Sequence, residues 1–142
     1  MSSNKDNIWE CEYDLVTTAS PEAIWRLFCD VPGWKQWNAG IEEIVIDGPF
    51  EAGTTFKMTP PGQETFTSLL VDVKPLELFV DETRVGDLVV RVAHRIERMD
   101  GRGARVIYSV KAIGDGAAEV GPMVSADFPQ VLKRLSELAE RS

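Results

Sequence analysis

Apolar and polar side chains alternate along most of this chain, and the alternation gives way to three-and-four spacing near each end. The run IWECEYDLVTT, Ile8 to Thr18, alternates as a strand does and leads into Ser20-Pro21, a serine suited to an N-cap before a proline suited to a first helical turn. The spacing predicts a helix to about Asp30, with Ile24, Leu27, Phe28 and Val31 on one stripe and Trp25 at its edge. Pro32-Gly33 should end it, and WKQW should add a further short turn of helix.

Short alternating runs follow: IEEIVID, TTFKMT, ETFTSLLVDVK, LELFVDETRV, DLVVRVAHRIERM and RVIYSVKAI. Gly48-Pro49, Pro60-Pro61-Gly62, Pro75, Gly86-Asp87 and Asp100-Gly101 separate them, and such short spacers favour antiparallel pairing of neighbours. Beyond Gly114-Asp115-Gly116, Val124, Phe128, Val131, Leu135 and Leu138 recur on one helical face, while Lys133, Glu137 and Glu140 fall on the other. Pro129 cannot donate to the carbonyl one turn back, so this long helix should kink or break near Phe128, and Asp127 with Gln130 has the spacing of a capping box. The predicted order is strand, two helices, six strands, long helix. An antiparallel sheet must bury one face, and only the carboxy-terminal helix is long and apolar enough to cover it.

The stretches SPEAIWRLFCDVPGWKQWN, IDGPFEAGTTF, VDVKPLELFVDETRVGDLVVRVAHRIE and GARVIYSV resemble the START-like, Bet v 1-like superfamily, and within it the small bacterial polyketide cyclase/dehydrase and SRPBCC proteins. The resemblance runs from about Trp9 to Ala139. It implies an α+β helix-grip fold: a seven-stranded antiparallel sheet curled around a long C-terminal helix, two short helices after the first strand, and a hydrophobic cavity between sheet and helix. The superfamily also contains lipid carriers, hormone receptors and chaperone regulators, so it implies no single activity.

Composition narrows the partners. At 142 residues the chain fits one domain. Lys plus Arg total 15 against 23 Asp plus Glu, and the net charge of -8 repels phosphate backbones, so no nucleic acid is expected. Apolar runs are too short for a membrane span. The polar start MSSNKDNIWE lacks a secretory signal, which reads as cytoplasmic, and Cys11 and Cys29 are expected as reduced, buried thiols. The composition carries no signal for oligomeric state.

Catalytic motifs are sparse. His94 is the only histidine, and no HExxH, CxxC, DxDxDG or GxSxG pattern occurs, so neither metal nor cofactor is expected. The arginines at 84, 91, 95, 98, 102 and 105 form the one basic concentration; Arg91 and Arg95 alternate away from the apolar face and should lie in cross-strand ion pairs on a solvated sheet surface.

The chemistry that remains is a cavity. An apolar void of about 300 Å³ left empty would cost roughly 7 kcal/mol at ~24 cal/mol per Å³, comparable with a domain's net stability, so the cavity must be small, hydrated by polar residues or filled by an apolar ligand, and its mainly apolar lining favours the last. Its expected lining is Trp34, Trp37, Val92, His94, Tyr108, Val124, Phe128 and Leu132. Trp34 and Trp37, three apart, should face one side, as core plugs, as cavity wall, or as both. Even positions form the apolar face of both strands around His94 and Tyr108, and a three-residue turn at Asp100-Gly101-Arg102 would set these two opposite each other. Their polar tips would then meet, to satisfy one another or to contact a ligand carbonyl or hydroxyl. The leading expectation is a binding module for a hydrophobic or aromatic small molecule. An enzyme resembling polyketide cyclases would need several polar groups inside the cavity, and a protein-interaction domain would need an exposed apolar groove.

Overall fold

The computed structural model describes residues 7–141. Seven strands form one antiparallel sheet: β1 (Ile8–Thr17), β2 (Glu43–Ile46), β3 (Thr55–Thr59), β4 (Phe66–Lys74), β5 (Leu78–Val85), β6 (Leu88–Arg98) and β7 (Ala104–Ile113). Their spatial order is β1-β7-β6-β5-β4-β3-β2, so every consecutive pair from β2 to β7 is a hairpin and β1 returns beside β7. This is the expected α+β helix-grip architecture.

The entry to α1 (Pro21–Cys29) follows its sequence signal: the Ser20 side chain accepts the Ala23 amide at 3.1 Å, and Ile24 and Phe28 are wholly buried. α1 ends at Cys29, close to the expected Asp30, and a further short helix follows, but the break falls at Asp30 and not at Pro32-Gly33. A 3-10 helix, Val31–Gln36, runs through both residues, since proline's missing N–H is harmless in a first turn.

At the carboxy terminus the predicted break is present. α2 (Ala117–Ser125) and α3 (Phe128–Glu140) are separate helices, with Pro129 in the first turn of α3, where it removes no hydrogen bond. Asp127 stands at the N-cap position, but its side chain caps nothing, so the expected capping box does not form. Val131, Leu135 and Ala139 of α3 lie buried against the sheet, Val124 and Leu138 are half-buried, and Lys133 and Glu137 face outward. Glu140 is exposed yet engaged: its Oε2 accepts from the Thr18 amide and from the hydroxyls of Thr17 and Thr18, tying the end of α3 to the end of β1.

The sheet curls because its strands carry irregularities. β4 slips register between Leu70 and Asp72, leaving Val71 as the extra residue of a bulge, which strengthens local twist. On the convex face, Arg91 pairs with Glu82 at 2.7 Å as expected, and Arg105 pairs with Asp14 at 2.7 Å; Arg95, expected in a pair of the same kind, is exposed and has none among the described residues. Both cysteines are free, but Cys29 is exposed and Cys11 only half-buried, because α1 turns its last residue to solvent. Among the described residues no helix is long and apolar enough to cross a membrane.

Candidate functional site

Between the concave face of the sheet, the 3-10 helix and the junction of α2 with α3 lies a cavity of about 620 Å³, roughly twice the lower bound for ligand sites. Trp34 and Trp37 form one wall. With three residues per turn in a 3-10 helix, the two rings lie on one side, their centroids 6.0 Å apart. Trp34 stacks on Phe79 at 5.5 Å and donates its indole N–H to the Phe28 carbonyl at 3.0 Å. Trp37 is equally buried, but its Nε1 has no hydrogen-bond partner among the described residues. The rings therefore serve as core and cavity wall together.

The opposite wall centres on His94. Register places it directly across from Tyr108, and the Met99 amide bonds the Gly103 carbonyl at 3.3 Å, closing the three-residue turn that the alternation demanded. The rings meet edge to face at 4.6 Å. Their polar atoms do not satisfy one another, which corrects the expectation of tips in contact. His94 instead stacks on Phe79 at 3.9 Å and uses Nδ1 on the Phe79 carbonyl at 3.3 Å. A carbonyl only accepts, so Nδ1 carries the proton and Nε2 presents a lone pair. Tyr108, almost fully buried, leaves its hydroxyl without a partner among the described residues. Burial pushes the His94 pKa down to about 3, and burial, with the nearby Asp81 carboxylate, raises the Tyr108 phenol above its ordinary value.

Asp81 is the residue that the sequence analysis missed. It pairs in register with Val92 of β6, which puts its carboxyl on the concave face, with Oδ2 3.9 Å from His94 Nε2. No described residue hydrogen-bonds it, and burial raises its pKa to about 7. Ser68 and Thr83 add a polar pair on the same wall, their hydroxyls 2.6 Å apart.

Of the other expected lining residues, Val92, Val124 and Phe128 do border the cavity, Phe128 meeting the Tyr108 ring at 5.3 Å. Leu132 does not: one turn further along α3, it is buried in the core behind the lining. Val85, 63% exposed, and Met123, 75% exposed, mark an apolar mouth. No lysine or arginine is among the described lining residues, whose carboxylates are Asp81 and, at the N-cap of α3, Asp127.

No protein-family model and no curated protein matches the chain in sequence. Solved structures match it in shape. The norcoclaurine synthase of Thalictrum flavum superimposes with a TM-score of 0.75 at 15% identity, over 98% of this chain and 91% of that one. The Zhui aromatase/cyclase of Streptomyces sp. R1128 gives 0.78 at 15% identity over 94% of each chain. Ara h 8.0201 gives 0.76 at 16% identity, over 95% of this chain and 99% of that one. The fold is thus the Bet v 1-like helix-grip fold that the sequence resemblance implied.

Proposed function

We propose that the chain binds a hydrophobic, aromatic-bearing small molecule in the cavity between the concave face of the sheet and α2–α3. One observation carries this reading: the two buried side-chain polar atoms without a partner among the described residues, Trp37 Nε1 and Tyr108 Oη, both belong to residues of the cavity wall. An unpaired buried donor costs about 1–3 kcal/mol, and a ligand oxygen accepting from it would recover that cost. Apolar and aromatic walls supply the remaining affinity without demanding a particular shape. Native mass spectrometry of the purified protein tests it, followed by titration with Nile red, a neutral apolar fluorophore. A released small molecule, or saturable enhancement of the dye lost on Tyr108→Trp, supports binding; bare protein that leaves the dye dark overturns it.

A second reading has its own observation. Asp81, His94 and Tyr108 converge on one wall, and together they provide a titratable acid, a lone-pair acceptor and a phenolic donor within an apolar enclosure. The Zhui aromatase/cyclase shares this fold. A cyclase-like role would have Tyr108 donate to a ligand carbonyl while Asp81 exchanges a proton with the carbon beside it. Deuterium uptake by a bound ketone, abolished in Asp81→Asn, would distinguish catalysis from binding alone.

A further inference from the structure

The Asp81 Oδ2 and His94 Nε2 atoms face each other at 3.9 Å across the cavity wall. Both are acceptors. His94 has already given its one proton-bearing nitrogen to the Phe79 carbonyl, and no described residue donates to Asp81. A donor atom lying beside the pair, about 2.8 Å from each, would bond both at once, and no described residue supplies one.

We propose that these two acceptors together receive the ammonium of an aromatic amine, so that the cavity selects protonated amines over neutral and anionic ligands of the same size; this deepens the ligand-site reading and rests on it. An ammonium offers three donors and a positive charge, enough to bond both acceptors at once, whereas a hydroxyl offers one donor. Charge within the site points the same way. The lining includes no lysine or arginine, and its carboxylates are Asp81 inside and Asp127 at the α2–α3 junction. The arginines nearest in sequence, Arg84, Arg91 and Arg95, lie on the convex face: Glu82 holds the first two at 2.9 and 2.7 Å, and Arg95 is exposed to solvent. A carboxylate ligand would therefore meet like charge with no counter-ion, at a cost that burial magnifies.

The walls suit a cation also. Trp34, Trp37 and Phe56 border the cavity beside Phe79, whose own ring is covered by His94 and Trp34, and aromatic rings attract a desolvated cation. At the other polar positions, Trp37 N–H and Tyr108 O–H require an acceptor. The ligand so described has an amine for Asp81 and His94, an aromatic body, and an oxygen substituent for Tyr108 or Trp37. A net charge of -8 over the whole chain would assist capture of such a cation at low salt.

Competition with Nile red tests this, using phenethylamine, phenethyl alcohol and phenylpropionate, which share one ring and differ in the charged group. Above the Asp81 pKa of about 7, the amine should displace the dye at a concentration about tenfold below the alcohol, with the carboxylate weakest. Asp81→Asn should abolish the amine's advantage while the dye still binds, and a chemical-shift change at His94 on adding the amine gives a readout in the unaltered protein. An alcohol or carboxylate that competes as well as the amine, or an amine preference that survives Asp81→Asn, overturns the proposal. Failure of the dye itself to bind removes the ligand-site reading instead, and this proposal with it.

Discussion

At the scale of single residues, the cavity holds two titrating groups whose shifts oppose each other. Asp81 ordinarily titrates near 3.8 and is raised to about 7, so between those values the folded protein keeps a proton that the unfolded chain has lost. Stability from this group is full below about 4 and is lost as pH rises to about 7. His94 ordinarily titrates near 6.5 and is lowered to about 3, so in that window the unfolded chain carries the extra proton, and stability is lost as pH falls. The two slopes cancel between about pH 4 and 6.5. Removing one group should expose the other: relative to the natural protein, Asp81→Asn becomes progressively more stabilising from about pH 4 to 7, at up to about 1.4 kcal/mol per pH unit, in urea unfolding at several pH values. A difference that stays constant with pH would show that Asp81 titrates normally. Tyr108→Phe belongs to the same scale. It removes a buried hydroxyl that has no partner, so the empty protein should gain about 1 kcal/mol in chemical denaturation while ligand affinity falls. Lower stability in the Phe variant would mean that the hydroxyl is satisfied.

At the scale of elements, the hairpins and the carboxy-terminal helices share the work of shaping the cavity. The β6–β7 turn sets its register, and Gly103 shows how tightly that turn is held: φ is +99°, and a Cβ there would run into the Thr17 carbonyl of β1. α2 lies close on the sheet at Gly121, where any side chain would strike the Trp9 ring. The separation of α2 from α3 leaves Val124 and Phe128 on the cavity while α3 continues into the core. Leu135, wholly buried in the middle of α3, joins that helix to the sheet. Leu135→Ala should cost about 2–5 kcal/mol in thermal or urea unfolding, and a loss below about 0.5 kcal/mol would mean that α3 does not carry the core.

At the scale of the whole molecule, charge and apolar surface are sorted between the two faces of one sheet. The convex face neutralises its own charges in pairs such as Arg91–Glu82, Arg105–Asp14 and Arg105–Glu97. The Arg105 pairs are exposed and add little stability, whereas Glu82 is buried beneath the two arginines that it holds. The concave side keeps aromatic rings, one unpaired carboxyl and a neutral imidazole. Such an enclosure strengthens any interaction made within it, because water competes poorly there.

What the sequence determined by itself is periodic or local. Alternation located the strands, the Ser20-Pro21 pair located α1, Pro129 located the helix break, and the odd-length turn at Gly101 set His94 opposite Tyr108. Each of these depends on neighbours a few residues away. The face of Asp81 was legible by the same logic, since a two-residue turn at Gly86-Asp87 pairs odd positions of β5 with the apolar even positions of β6. It went unread because Leu78, Phe79 and Val80 are consecutive apolar residues, which hide the alternation that identifies a face. The rest belonged to tertiary structure alone. Leu132 and Phe128 have equivalent places in the helical period, yet only Phe128 borders the cavity, because curvature of the sheet decides how far the open space extends along α3. Likewise nothing local distinguishes Trp34, whose indole finds the Phe28 carbonyl, from Trp37, whose indole finds nothing. Whether a buried donor is satisfied depends on atoms that meet only when distant segments have packed.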